Sequence, residues 1–561
     1  MIQTTYKEWL SKVTSTEAEE LKAYANSDKE LTERFGGPLA FGTAGMRGIL
    51  GLGTYRMNTY TVRRATCGLA RFIVANKAQD KGVVIAYDTR RYSLQFALEA
   101  AAVLAAFKVR VWIFENVRPV AFCSFGVRNF GAEAGIMITA SHNPKEYNGY
   151  KVYGADGAQM SPADTEKVVE YINASGYFDV PRARLSTDTI KGLDRININE
   201  FVTVIGESLD ELYFAEIAKL SLSAPLVKAK GNSFKLVYTP IHGSGCMPIT
   251  TVFSRMGVNA VCVKEQMTSD CEFSTVSVPN PENKDTLSMA VELGKKVGAS
   301  AVIGTDPDCD RMGAAVKTPS GEFMLLNGNQ IGALLLDYIL TRLTELKRLP
   351  KNGAVVKTIV TTTLANKIAR DKKVAVFDVL TGFKFIGEKI KEWEATKEYE
   401  FIFGYEESYG YLRGTHARDK DAVVASMLFA EMLVYHGSKG KLIFDRLMEL
   451  FEKYGYYYEA NVSIAYEGIN AMRDMGARMN HLRSEKINAF GEHKVIETRD
   501  YLHANPSSDA LHFTLPDGQF VCARPSGTEP KLKLYVLSVS TSVDKARAKA
   551  EAIIAELKKL L

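Results

Sequence analysis

From Val83 onward one unit recurs along the chain: a short apolar run, a polar or glycine-containing loop, then an amphipathic helix. Val83-Val-Ile-Ala-Tyr-Asp-Thr-Arg90 leads into an Ala/Leu-rich helix ending near Phe107. Gly135-Ile-Met-Ile-Thr139 runs into a polar loop, and Leu236-Val-Tyr-Thr239 into His242-Gly-Ser-Gly245 and a helix. Ala301-Val-Ile-Gly304 runs into an Asp-rich loop, and Ala354 to Val360 and Glu400-Phe-Ile-Phe403 repeat the pattern. Unbroken apolar strands alternating with helices predict mixed or parallel sheets covered on both faces. With 561 residues the chain exceeds what one core organises, so roughly three to four domains are expected.

The ends differ in kind. Residues 1 to about 35 are polar, with Trp9, Leu10, Val13, Leu21 and Tyr24 at loosely helical spacing, and predict one or two helices packed on the outside of the adjoining domain. Near the other end, Phe513 to Val521 and Lys531 to Val539 alternate as antiparallel strands, and an Ala/Lys/Leu helix begins at Val543. Polar, turn-rich stretches at 177–206, 321–329 and 455–468 suggest the breaks. The predicted fold is α/β, with three similar mixed-sheet domains (1–205, 206–326, 327–455) and a smaller α+β domain (456–561).

Composition narrows the function classes. Seventy Lys+Arg against 65 Asp+Glu leave +5, too little over this length to imply a nucleic-acid or membrane surface. Seven scattered cysteines without a C-x-x-C pair fit reduced thiols rather than a disulfide framework. The first residues lack a cationic segment followed by an apolar one. The most membrane-like stretch, Ala97 to Phe107, carries Glu99 and falls well short of the roughly 18 residues a span requires. The expectation is a cytoplasmic protein without nucleic-acid or membrane partners; oligomeric state is left open, with a monomer preferred.

Four loops carry candidate chemistry. Gly48-Ile-Leu-Gly-Leu-Gly53 is not one of them, since it lacks the strand and spacing of a dinucleotide loop. Ser141-His142-Asn143-Pro144 holds a hydroxyl beside an imidazole, although neighbouring side chains in extended chain point apart, and the stretch also reads as a simple turn. Asp306-Pro-Asp308-Cys-Asp310-Arg311 sets three carboxylates at i, i+2 and i+4 after an apolar strand. Their mutual repulsion calls for a cation, and hard oxygen ligands favour Mg²⁺ or Ca²⁺. Arg311 and Lys317, where an EF-hand needs Gly and Glu, exclude that motif. A solvated acidic turn, or an aspartyl-nucleophile phosphotransferase whose D-x-D also follows a strand, are the other readings. Glu406-Glu407-Ser408 offers acceptors and a donor for sugar hydroxyls, or forms an exposed loop. Arg524-Pro-Ser526-Gly527-Thr528 unites a guanidinium, hydroxyls and a permissive backbone, a composition suited to phosphate and also common in turns. The Ser, Asp and Glu loops each follow an apolar strand, and open α/β sheets gather ligands at the carboxyl ends of strands. Three such ends facing one cleft, closed by a domain bearing Arg524, would form a composite site.

Together these motifs resemble the α-D-phosphohexomutase superfamily. Thr139-Ala-Ser-His-Asn-Pro144, Asn148-Gly-Tyr-Lys-Val-Tyr153, Asp306-Pro-Asp-Cys-Asp-Arg311, Gly404-Tyr-Glu-Glu-Ser408 and Arg524-Pro-Ser-Gly-Thr-Glu529 occur in its order, and the similarity extends from about Gly42 to the C-terminus. Asn148-Gly-Tyr-Lys-Val-Tyr153 and Tyr405-Glu-Glu-Ser408 look most like the branch holding phosphoglucomutase-2, phosphopentomutase and bacterial relatives. The resemblance implies four domains around a central cleft and a reversible shift of phosphate between sugar hydroxyls. Domain I would carry phosphoserine at Ser141, domain II the metal loop, domain III the sugar loop and domain IV the phosphate loop. Asp306, Asp308 and Asp310, with Ser141, would hold Mg²⁺. Lys151 would be the general acid/base, Arg47 would steady the phosphoserine, and His142 and Arg311 match further site positions. Glu406 and Ser408, with Thr381 and Gly382 nearby, would hold the sugar. Arg524, Ser526, Gly527 and Thr528, helped by Lys420, would hold the phosphate that does not react. The implied reaction interconverts glucose 1-phosphate and glucose 6-phosphate, with glucose 1,6-bisphosphate as intermediate and activator. A phosphopentomutase, a glucose 1,6-bisphosphate synthase and a catalytically silent phosphosugar sensor are the alternatives.

Overall fold

The computed structural model describes residues 2–42, 45–466, 470–526 and 531–561. The unbroken apolar runs become strands covered on both faces: every residue of Val83–Tyr87, Ala134–Ile138 and Ala301–Thr305 is buried. In the first of these the side chains alternate between two layers. Val83 and Ile85 join the core beneath helices Thr59–Ala75 and Ser93–Ala106, while Val84 and Ala86 join the core beneath Val120–Phe130.

The first sheet has eight strands. Val202–Ile205, Val111–Phe114, Val83–Tyr87 and Ala134–Ile138 run parallel, and Tyr147–Gly154 then returns antiparallel beside Ala134–Ile138. The second sheet places Asn259–Cys262, Lys235–Thr239 and Ala301–Thr305 in parallel, followed by antiparallel Met312–Lys317 and Phe323–Leu326. The third places Ala375–Val379, Gly353–Thr358 and Glu400–Glu406 in parallel, followed by antiparallel Gly410–Leu412. All three sheets therefore repeat one device, in which a parallel strand ends in a loop and reverses into an antiparallel neighbour. The loops concerned are those of Ser141, Asp306 and Glu407.

The fourth sheet is wholly antiparallel, in the order Tyr456–Ala465, Lys531–Ser540, Phe520–Pro525, Leu511–Thr514, Glu497–Asp500, with helix Val543–Lys559 against it. The single strand expected over 513–521 is two strands. Pro516-Asp-Gly518 turns the chain between them, with Asp517 and Gly518 at φ of 61° and 78°, conformations that Asp and Gly tolerate.

The N-terminal segment forms three helices, Ile2–Lys12, Ser15–Lys22 and Asp28–Phe35, rather than one or two. Thr14 and Ser27 accept backbone N–H groups as helix caps, so each polar residue starts a new helix. Trp9 anchors them, fully buried with ring centroids 5.3–5.7 Å from those of Phe35, Tyr60, Tyr177 and Phe178.

Helix Ala422–Gly437 binds the second and third sheets into one body. Every residue from Ala422 to His436 is buried, as befits a helix that is apolar all round. It packs on helices Cys246–Met256 and Ala224–Lys230 on one side and on Gly328–Glu345 and Ile443–Tyr454 on the other. Its one buried acid, Glu431, accepts from Leu222 N at 2.9 Å and Tyr338 OH at 3.0 Å, and from the Ser221 hydroxyl. Among the described residues no helix is long and apolar enough to cross a membrane.

Candidate active site

The three reversing loops meet. Ser141 Oγ donates to Asp306 Oδ2 at 2.8 Å, although 165 residues separate them in the chain. Backbone bonds hold the loops together: Val120 N donates to Asp308 O at 3.0 Å, Met312 N to Tyr409 O at 3.1 Å and Ala422 N to Cys309 O at 3.3 Å. First, second and third sheets are thus stitched at the aspartate loop itself.

Ser141 sits at φ 53°, in the left-handed region that non-glycine residues rarely enter. That conformation overturns the expectation that Ser141 and His142 point apart. In extended chain they would; here the turn brings Ser141 Oγ to 3.3 Å from His142 Nδ1. Burial, then the nearby Arg311 and Arg47, hold the His142 imidazole well below its ordinary pKa, so it is neutral at pH 7.

Asp306, Asp308 and Asp310 are all buried, and each offers an oxygen within 4.8 Å of the others. Among the described residues, Oδ1 of Asp308 and of Asp310 are buried without a hydrogen-bond partner. Three buried hard oxygens with two unspent acceptors are a donor set that fits a divalent cation. Burial and the neighbouring Asp308 and Asp310 push Asp306 well above the usual carboxylate range. Asp310 moves the other way: burial opposes its charge, but Lys420, Lys151 and Arg311 outweigh it. Cys309 turns away from this set, buried in the core with its thiol pushed strongly up by burial and by Asp306.

Lys151 stands on Tyr147–Gly154, opposite Met137 in the strand leading to Ser141. Its ammonium donates to Asp308 Oδ2 at 2.8 Å and reaches Asp310 at 3.4 Å. Burial draws it toward neutrality, yet the two aspartates raise its pKa above the ordinary lysine value. Arg47, exposed on Gly45–Ile49, donates to Asn143 Oδ1 at 2.9 Å and so reaches the same loop. Lys420 lies against Asp310 at 3.3 Å and Asp419 at 2.8 Å, beside the aspartate loop.

A cleft of about 570 Å³ opens beside these groups, within the usual range for small-molecule sites. His142, Arg311, Thr381, Gly382, Glu406 and Ser408 line it, together with Arg524 from the fourth sheet. Gly382 N donates to Glu406 Oε1 at 2.9 Å, which fixes that carboxylate at the strand end. Arg311 pairs with Glu282, and an isolated backbone bridge joins Arg311 to Gly410, locking the Asp306 hairpin to the Glu407 hairpin. Ser526 follows Arg524, its N–H donating to Lys531 O at 2.8 Å. Gly527 and Thr528, expected in the phosphate loop, lie outside the described residues.

Several lining residues are not among those the motifs point to. Lys533 faces Arg524 directly across the antiparallel pair and lines the cleft with it. The alternation of Lys531 to Val539 carries that signal once Arg524 is placed. Glu282, Asn327 and Glu459 have no local signature, because only the packing of separate sheets brings them to the cleft.

Comparison with known proteins agrees with this architecture. Models of Phosphoglucomutase/phosphomannomutase alpha/beta/alpha domains I, II and III match residues 38–177, 211–321 and 327–454, and the model of the C-terminal domain matches 477–554. A phosphoglucomutase of Staphylococcus haemolyticus is 36% identical over 513 residues, covering 89% of this chain and 90% of its own. One of Staphylococcus aureus strain N315 is 35% identical over 545 residues, covering 94% of each. In fold, the chain is similar to a putative phosphomannomutase of Thermus thermophilus, with a TM-score of 0.68 at 22% identity, covering 93% of this chain and 99% of that one. It is similar also to the open form of pp63/parafusin from Paramecium, with a TM-score of 0.70 at 17% identity, covering 93% and 94%. The chain belongs to the phosphoglucomutase/phosphomannomutase family, isomerases of the α-D-phosphohexomutase superfamily.

Proposed function

We propose that the protein interconverts glucose 1-phosphate and glucose 6-phosphate through a phosphoserine at Ser141 and a glucose 1,6-bisphosphate intermediate. The observation that carries this reading is the 2.8 Å contact of Ser141 with Asp306, next to His142, which lines the cleft together with Arg524. A hydroxyl on a buried acidic triad thus stands beside a cleft whose Arg524 and Lys533 would hold a second phosphate.

Asp306, Asp308 and Asp310, with Ser141, would hold Mg²⁺, which when bound supplies positive charge against the transferring phosphoryl oxygens. The chain's own residues do the rest. Phosphoserine passes its phosphoryl group to the free hydroxyl of the sugar monophosphate, and the Ser141 oxygen leaves. Lys151 exchanges the proton: its ammonium donates to the leaving Ser141 oxygen, and the amine left behind accepts the proton of the attacking sugar hydroxyl. The aspartates that raise its pKa make the ammonium the resting form. Neutral His142 stands beside the serine as a second acceptor. Glu406 and Ser408 bind sugar hydroxyls, and Arg524 with Lys533 holds the phosphate that does not react. The bisphosphate turns end for end in the cleft, so that the original phosphate returns to Ser141. Water must be excluded meanwhile, since hydrolysis of phosphoserine wastes the active form.

Coupled assays on glucose 1-phosphate, mannose 1-phosphate and ribose 1-phosphate test the substrate. Glucose 1-phosphate is expected to lead; ribose 1-phosphate ahead by about tenfold, or about 1.4 kcal/mol of transition-state preference, makes the enzyme a phosphopentomutase instead. Peptide mass spectrometry after incubation with glucose 1,6-bisphosphate should find the phosphate on Ser141. Finding it on an aspartate would move the protein to the aspartyl-nucleophile class.

A further inference from the structure

Arg90 lies at the foot of the first sheet's site loop and takes no part in the chemistry above. Its side chain is fully buried. One terminal nitrogen donates to the carbonyls of Pro144 at 2.8 Å and Tyr147 at 3.0 Å. The other donates to Ser141 O at 2.6 Å and to Asn143 O. All four N–H groups of the two terminal nitrogens are therefore spent on one loop, from Ser141 to Tyr147. The fifth side of the fork faces Asp88 at 3.4 Å, and the Phe273 ring from the second sheet's domain covers the guanidinium with its centroid 5.1 Å away.

Asp88 completes the hold from the other side. Its carboxylate accepts from Arg90 N at 2.9 Å, Ser93 Oγ at 2.8 Å and Thr139 Oγ1 at 2.7 Å. Thr139 Oγ1 in turn accepts the backbone N–H of Ser141 at 2.7 Å. The amide and the carbonyl of Ser141 thus trace back to the same buried pair. A non-glycine residue in the left-handed region persists only where its surroundings over-determine it. Here the surroundings are Asp88 and Arg90.

We infer that Arg90 is a positioning residue that sets the geometry of the Ser141 loop for phosphoryl transfer. The inference rests on the reading of Ser141 as nucleophile. Lysine cannot replace it, because four carbonyls in different directions need a planar fork of donors, and an ammonium carries three donors on a single nitrogen. A merely structural ion pair would have spread its donors over the core; this one spends every terminal N–H on the loop that bears the nucleophile.

The test is Arg90→Lys, with Arg63→Lys as control. Arg63 is a second bidentate arginine of the same domain, held by Glu99 at 2.6 and 2.7 Å away from the cleft. In Arg90→Lys, kcat on glucose 1-phosphate should fall about 100-fold, as expected for a misplaced reacting group, while KM stays within about threefold. Hydrogen exchange in the peptide 141–147 should accelerate while other peptides of the domain keep their protection. Arg63→Lys should leave both readouts unchanged. If Arg90→Lys does not fold, the paired variant Asp88→Asn with Arg90→Gln removes both buried charges together and is read in the same way. Retained kcat, a KM that rises in step with the loss, or unchanged exchange at 141–147 overturns the inference. Absence of turnover and of phosphoserine in the unsubstituted enzyme would overturn the proposed function instead, and the exchange comparison would still decide whether Arg90 holds the loop.

Discussion

Tyr153 donates its hydroxyl to Asp419 Oδ2 at 3.0 Å, joining the first sheet to a loop 266 residues further along the chain. Gln159 donates to the same oxygen at 3.2 Å, and the other oxygen takes Lys420 through both its backbone N–H at 2.9 Å and its ammonium at 2.8 Å. Asp419 therefore aims Lys420 at Asp310 while tying that aim to the first domain. Two residues further, Asp421 accepts Tyr213 OH at 2.7 Å and caps helix Ala422–Gly437 through Val423 N and Val424 N.

Asp419→Asn keeps the shape and removes the charge facing Lys420. The expected outcome is a loss of about 1–3 kcal/mol of stability, the range for a buried charged hydrogen bond disturbed on one side. Turnover should fall as well, because Lys420 is no longer held beside Asp310. Tyr153→Phe, which deletes one donor, should cost about 1 kcal/mol. Thermal melts and steady-state kinetics of the two variants check the order.

Cation binding should be visible without activity. A ligand that binds only the folded state stabilises it by about 2.7 kcal/mol at a hundredfold excess over its Kd. Mg²⁺ is therefore expected to raise the melting temperature of the chelator-treated protein, and Asp308→Asn to weaken or abolish that rise. An equal rise in both proteins would place the ion elsewhere.

Lys533 and Arg524, side by side on neighbouring strands, should share one phosphate. Charge-assisted hydrogen bonds are worth about 1.5–3 kcal/mol each, so Lys533→Ala or Arg524→Ala should lower kcat/KM by about 10–100-fold. The double variant should lose less than the sum, since residues on one ligand couple. Additive losses would mean that they bind different groups.

Glu407 gives the site a pH signature. Burial, then the adjacent Glu406, pushes its carboxyl up to about 7, while its oxygen accepts from Thr358 Oγ1 at 3.1 Å. The folded state thus keeps a proton that the unfolded chain releases near the ordinary glutamate value of about 4.3. Its contribution to stability is complete below that value and is lost as the pH rises through about 7. Melting temperatures between pH 5 and 8 should fall more steeply in the natural protein than in Glu407→Gln. Parallel curves would show that Glu407 ionises normally.

Much of the architecture is legible from apolar runs. Val83–Tyr87, Ala134–Ile138 and Ala301–Thr305 are readable because strands buried on both faces leave no polar gaps. Tyr147–Gly154 stands out in the sequence as a motif but not as a strand. Its inner residues Asn148 to Tyr153 are buried, but Asn148, Gly149 and Lys151 interrupt the run: Asn148 supports the Arg91–Ser93 turn and Lys151 donates to Asp308. The left-handed turn at Ser141 is invisible in the sequence, because what enforces it, Arg90 and Asp88, lies some 50 positions earlier in the chain. Likewise the meeting of Ser141 with Asp306 is suggested by resemblance and by strand-end position, not by any pattern within either loop. Periodicity reports which face a residue takes; it says nothing about which other sheet will face it.

The long buried helix Ala422–Gly437 begins at Asp421 and takes the Cys309 carbonyl on its first residue, so its near end is part of the wall behind the aspartates. A defect in side-chain fit about two to three turns along, at Leu428 or Met432, would be carried by a rigid rod to that wall. Variants in this enzyme that look remote on a map of the cleft should therefore be judged by whether they lie along that rod, and a fault at its far end can present as poor catalysis rather than as poor folding.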